Sequence, residues 1–187
     1  MITHTVGAVL AGGSGSRMGS PKTELEYLGV PFVDHVIATL SLVLDEVVLC
    51  GGTDRGSIRS LKDPIADGGP LAGILAALHH AAGRPVTVVP VDMPLITVDL
   101  IERLADPEIE PDAARVASDG TTVQPLCATY GGGLAAMIEH RLAAGRRSVL
   151  GFVDEIGPVE YIIADRHTLT NVNTPQEYAE LTGGAVP

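Results

Sequence analysis

The stretch with the most chemical potential is Leu10–Lys22, LAGGSGSRMGSPK, which follows directly on the apolar run Thr5–Leu10. Gly12, Gly13, Gly15 and Gly19 let the backbone take positive φ and come close to a ligand. Consecutive N–H groups in such a loop are expected to point at phosphate oxygens, with Arg17 and Lys22 adding positive charge. The spacing matches neither GxGxxG nor GxxxxGK[ST], which disfavours a dinucleotide-binding Rossmann site and a Walker ATPase. Its place after a buried strand matters, because open α/β sheets bind ligands at the carboxyl ends of their strands.

Two further segments carry carboxylates. Asp92 follows the apolar run Val86–Val91 and precedes Met93-Pro94. It is a hard oxygen ligand suited to Mg²⁺, which takes one or two carboxylates together with substrate phosphates, although Asp is also common in turns after strands. Asp63 and Asp67 lie ahead of Gly68-Gly69-Pro70-Leu71-Ala72-Gly73. Either acid is suited to accept from a purine's ring N–H and exocyclic amine, the donor pair of guanine. At least one of them is expected to cap the helix that follows. Asn171 and Asn173 precede the last helix and either face a substrate or metal or finish a turn. The six His residues have no zinc-ligand spacing, and Ser14 and Ser16 have no evident His partner, so neither a zinc site nor a hydrolase triad is supported.

The elements that must position these residues follow from periodicity. Apolar runs alternate with helical patterns, which predicts βα units in a mainly parallel sheet with helices on both faces. Strands are expected over Thr5–Leu10, Glu46–Cys50, Pro85–Val91 and Val159–Ala164. Helices are expected over Phe32–Leu44, Pro70–Ala82, Thr97–Ala105, Leu134–Ala144 and Thr174–Leu181. Pro70 suits a first helical position, and Thr174-Pro175-Gln176-Glu177 forms a capping box. Asp119-Gly120, between Ala113–Ser118 and Thr121–Tyr130, signals a hairpin and therefore one antiparallel excursion.

The 187 residues suit one α/β domain spanning 1–187, and hydrophobic residues at 45% against 19% charged make an ordinary globular composition. With no Trp and six aromatics in all, the core must come from Val, Leu, Ile and Ala. A net charge of -11 argues against nucleic-acid binding, yet a local cationic cluster can still hold a phosphate. Cys50 and Cys127 are isolated, as expected of reduced thiols in a cytoplasmic protein. No signal peptide and no membrane span is expected.

Taken together, the segments Leu10–Lys22, Asp63–Gly73, Val88–Leu95, Gln124–Tyr130 and Asn171–Leu181 resemble, in order, the nucleotidyltransferases with an LAGGxSxRMGxxK signature. The first and third are shared across that superfamily. The GGPLAGI run and the NVNTPQEY ending are similar to its molybdenum cofactor guanylyltransferase branch. The resemblance implies a Rossmann-like sheet of the nucleotide-diphospho-sugar transferase type and transfer of GMP from GTP to molybdenum-molybdopterin. Leu10, Ala11, Gly12 and Gly13 would contact the nucleotide, Arg17 and Lys22 its triphosphate, and Asp63 the guanine or ribose. Asp92 would hold Mg²⁺, and Asn173 with Asn171 would face the pterin substrate or the metal. A protein that delivers or accepts the pterin would dock on the same face. Pro21 stands where many relatives carry Asp, as in the cytidylyl branch, and Cys50 falls at or near a frequent Asn. A molybdopterin cytidylyltransferase, an enzyme activating a sugar or lactyl phosphate, and a non-catalytic nucleotide-binding protein are the alternatives.

Overall fold

A computed structural model describes residues 1–12 and 22–184. In chain order the elements are β1 (Ile2–Leu10), β2 (Glu26–Tyr27), β3 (Val30–Pro31), α1 (Phe32–Val43), β4 (Leu44–Cys50), β5 (Ser60–Leu61) and α2 (Pro70–Ala81). There follow β6 (Val86–Pro90), α3 (Val98–Leu104), β7 (Ala114–Ser118), β8 (Val123–Tyr130), α4 (Ala135–Ala143), α5 (Val149–Val153), β9 (Val159–Ile163) and α6 (Pro175–Thr182).

Seven strands form one sheet in the order β5-β4-β1-β6-β8-β7-β9. The pairs β1/β4, β1/β6, β4/β5 and β7/β9 are parallel, and β8 runs antiparallel to both β6 and β7. The expected parallel sheet with one reversed strand is therefore present. All five residues of β6 are buried, which is why this strand reads as an unbroken apolar run. From β1 the chain adds β4 and β5 on one side and then crosses to place β6 on the other. The carboxyl ends of β1 and β6 consequently flank the switch point, where open α/β sheets form their ligand crevice.

Helices cover both faces. On one, Leu71, Ile74, Leu75 and Leu78 of α2 pack with Ile138 of α4 and Phe152 of α5. On the other, Phe32, Val36 and Leu40 of α1 pack with Leu100 and Ile101 of α3, while Tyr178 of α6 lies against the same cluster. Helix α1 buries residues at the spacing of one helical face, whereas α2 is buried almost all round. Among the described residues no helix is long and apolar enough to cross a membrane.

The turn chemistry acts as the sequence predicts in two places. Thr174 Oγ1 accepts from Glu177 N (3.2 Å) while Glu177 Oε2 accepts from Thr174 N (2.9 Å), with Pro175 at the first helical position of α6. Asp119 Oδ1 accepts from the Thr121 and Thr122 N–H groups at 2.9 and 2.6 Å and from Thr121 Oγ1 at 2.7 Å, closing the β7–β8 hairpin with Gly120 at φ 88°. These donors favour the carboxylate and hold the Asp119 pKa down from 3.8 to about 2. Ionised Asp119 thus contributes stability that is fully present above about 3.8 and is lost as pH falls through about 2. The stability gap between the wild type and Asp119→Ala in urea titrations is expected to close as the pH is lowered across that window. A gap that stays constant would refute this account.

Elements too short for periodicity appear only in the structure: β2 and β3 joined through Leu28 and Gly29 at φ 52° and 76°, the two-residue β5, and α5. Helix α5 begins at Ser148, whose Oγ accepts from Gly151 N (3.0 Å). Buried Arg141 donates to Ser148 O (3.2 Å) and pairs with Glu155, tying both ends of this short helix to α4.

Candidate functional site

The site is built on the carboxyl ends of β1, β4 and β6. Val91 N donates to Leu10 O (3.1 Å), which places Asp92 next to the start of the glycine-rich loop. Asp92 is half-buried in a turn that Met93 N closes onto Pro90 O (3.3 Å). It does not cap α3, whose N-cap is Thr97. The Asp92 carbonyl accepts from Val172 N (2.9 Å), so the segment Asn171-Val172-Asn173 is tied to the same corner. The structure therefore brings Leu10, Asp92 and the two asparagines together.

On the other flank, Ala11 N and Gly12 N both donate to Cys50 O, at 2.9 and 3.1 Å. This corrects one expectation, because the row of free N–H groups does not begin at Ala11 or Gly12. Their donors are spent on pinning the loop to β4. Gly13, Arg17 and the side chain of Lys22 lie outside the described residues, and the backbone of Lys22 opens a 3₁₀ turn, Lys22–Glu24. Gly51, at φ 87°, packs so tightly under Gly12 that a Cβ on it would come within 2.8 Å of Gly12 Cα and N.

The acids ahead of α2 also differ from expectation. Neither Asp63 nor Asp67 caps the helix: its N-cap is Gly69 at φ 65°, without a side-chain bond, and Pro70 supplies the first helical residue. Gly69 takes a backbone conformation, φ 65° and ψ -161°, that belongs almost entirely to glycine. Asp67 sits at φ 56° in a turn closed by Gly68 N on Ile65 O (3.3 Å) and is exposed. Asp63 points its Oδ1 to within 3.9 Å of where a Cβ on Gly73 would stand, beside Leu10 and Cys50. Loss of water there raises the Asp63 pKa above its ordinary value. Gly73 keeps this wall low, because its missing side chain would already press on Leu10 Cδ2 (3.2 Å) and Cys50 Cβ (3.3 Å).

Cys50 itself is buried, and burial together with the Asp63 charge pushes its thiol up to about 12. It is a packed neutral side chain, neither nucleophile nor polar contact. On the far side of Asp92, Asn171 Nδ2 donates to Leu169 O (3.3 Å) and to Gln124 Oε1 (3.4 Å). Gln124 lies within the segment Gln124–Tyr130, and no spacing along the chain connects it with Asn171.

The model of the MobA-like NTP transferase domain matches residues 7–156. The chain is similar to a probable molybdenum cofactor guanylyltransferase of Pelotomaculum thermopropionicum, with 36% identity over 94% of this chain and 91% of the relative. It is also similar to a molybdenum cofactor guanylyltransferase of Photobacterium profundum, with 31% identity over 93% of each chain. Among solved structures, molybdopterin-guanine dinucleotide biosynthesis protein A from Archaeoglobus fulgidus superposes with a TM-score of 0.80 at 25% identity, covering 95% of this chain and 97% of that one. A sheet whose switch point lies between the carboxyl ends of β1 and β6 and a family match over most of the sequence converge: the chain belongs to the MobA-like NTP transferase family of nucleotidyltransferases.

Proposed function

We propose that the protein transfers GMP from GTP to molybdopterin in the cytoplasm, releasing pyrophosphate and forming the guanine dinucleotide form of the molybdenum cofactor. The observation that carries this reading is the bond from Val91 N to Leu10 O, which sets Asp92 beside the nucleotide loop at the switch point. The relatives named as molybdenum cofactor guanylyltransferases support the choice of substrates.

In the reaction an oxygen of the pterin's phosphate attacks the α-phosphorus of GTP, and the bond from that phosphorus to the bridging oxygen of pyrophosphate breaks. The nucleophile is already an anion, so no general base is needed. Catalysis then rests on positioning and on neutralising charge. Leu10 to Gly13 bind the nucleotide, Arg17 and Lys22 offset the charge of the triphosphate, and Asp63 accepts from guanine across the gap kept open by Gly73. Asn171 and Asn173 face the acceptor, on the opposite side of Asp92.

The donor set suits Mg²⁺: a half-buried carboxylate at the loop's edge, with substrate phosphates to complete the shell. Asp92 would hold the Mg²⁺, and the bound ion supplies Lewis-acid polarisation and a template for the phosphates.

The test is pyrophosphate release measured with each nucleoside triphosphate, with and without molybdopterin. Release is expected with GTP and only when molybdopterin is present. Release with CTP would overturn the base assignment, and GTP binding without release would favour a non-catalytic binder. Asp63→Asn is expected to cut the preference for GTP over ATP by roughly tenfold or more, since a hydrogen bond to a charged group contributes about 1.5–3 kcal/mol. An unchanged preference would remove Asp63 from base recognition.

A further inference from the structure

Strand β8 carries a large irregularity close to the site. Its pairing with β7 runs Ala114↔Tyr130, Arg115↔Thr129 and Val116↔Ala128, then jumps to Ala117↔Gln124 and Ser118↔Val123. While β7 advances by one residue, β8 passes over Pro125, Leu126 and Cys127. The pairing of β8 with β6 also stops at Val88↔Ala128, before the bulged residues. The phenol of Tyr130 donates to Pro125 O (2.6 Å) and anchors the bulge.

The consequence is a change of face. Paired residues of neighbouring strands point to the same side of a sheet, and an odd number of extra residues exchanges the sides. Val116 and Ala128 face the layer of α2, α4 and α5, whereas Ala117 faces that of α1 and α3. A regular β8 would put Gln124 on the side of Ala128. The bulge instead pairs it with Ala117, on the side where Val172 is buried and Asn171 stands. Its side chain is half-buried there, and its Oε1 accepts from Asn171 Nδ2.

The strand order adds direction. Leu10, Cys50 and Asp63 belong to the β1/β4 side of Asp92, and Gln124 belongs to the β8 side. We propose that Gln124 is a positioning residue for the acceptor substrate, held in place by the β8 bulge and acting through the amide of Asn171. The proposal rests on the reading of Asn171 as facing a phosphorylated pterin. Gln124 orients the Asn171 side chain next to Leu169 O, so that the amide meets the acceptor already turned rather than being ordered upon binding. The nucleotide side of the site is indifferent to it.

Steady-state pyrophosphate release by the full chain, with GTP and molybdopterin varied separately, tests this on the wild type, Gln124→Met, Asn171→Ala and the double variant. Gln124→Met is expected to raise the KM for molybdopterin about tenfold, the size of one lost hydrogen bond, with the KM for GTP within about twofold. In the Asn171→Ala background the same change should have no further effect, because the route to the acceptor is already gone. Thermal unfolding of each variant is measured alongside. A merely structural role would lower Tm and move both KM values, and that result overturns the proposal. Additive effects of the two substitutions, or an unchanged KM for molybdopterin in Gln124→Met, also overturn it while leaving the guanylyl-transfer reading intact. A wild type that releases no pyrophosphate with molybdopterin overturns both.

Discussion

Replacing Asp92 by Asn is expected to lower kcat on the order of 10²–10³-fold, the loss typical when one preorganised electrostatic contact to the reacting group is removed. The substitution keeps the shape of the side chain and removes its charge, which is what a hard divalent ion requires. The fold should be spared. The bond that ties Asn171-Val172-Asn173 to this corner uses the backbone carbonyl of Asp92, which the substitution leaves alone. Pyrophosphate release and thermal unfolding measured side by side check both halves of the expectation, and a kcat near the wild-type value would remove Asp92 from the chemistry. Lys22→Ala should show the same pattern, with activity lost and Tm retained, because its expected role is charge alone.

Gly51→Ala is expected to damage stability and nucleotide binding together. Gly51 sits at φ 87°, where a Cβ costs roughly 1–2 kcal/mol from the backbone alone. The new methyl would also lie 2.8 Å from Gly12 Cα and N, atoms of a backbone that cannot swing aside as a side chain would. Gly12 must therefore move, and its bond and that of Ala11 to Cys50 O must stretch. Gly52→Ala is the matched control, since Gly52 has φ 79° but open space around its Cβ position. A strain of about 2 kcal/mol lowers Tm by roughly 4–8 °C in a protein of this size. Gly51→Ala should exceed Gly52→Ala in that loss and should alone reduce the further rise in Tm given by GTP with Mg²⁺. Equal behaviour of the two variants would show that the contact under Gly12 is dispensable.

What the sequence determined by itself is whatever depends on neighbours along the chain. The buried run of β6, the apolar face of α1, the Asp119-Gly120 hairpin and the Thr174–Glu177 capping box are all local patterns, and each forms where expected. The start of the glycine loop at Leu10 and Asp92 each follow a strong apolar strand, so their place at the carboxyl edge of the sheet can be read from local pattern. The two-residue strands β2, β3 and β5 and the five-residue helix α5 are too short to show a period and exist because tertiary neighbours hold them. Tertiary structure also decided the use of groups that the sequence left open. Gly69 rather than an acid caps α2, and the N–H groups of Ala11 and Gly12 are consumed by Cys50 O. It alone brought Gln124 to Asn171, 47 positions away, through a bulge whose odd count of residues reverses the strand's faces. Side-chain direction along a strand can be read from sequence only while the pairing is regular, and the pairing is a property of two strands at once.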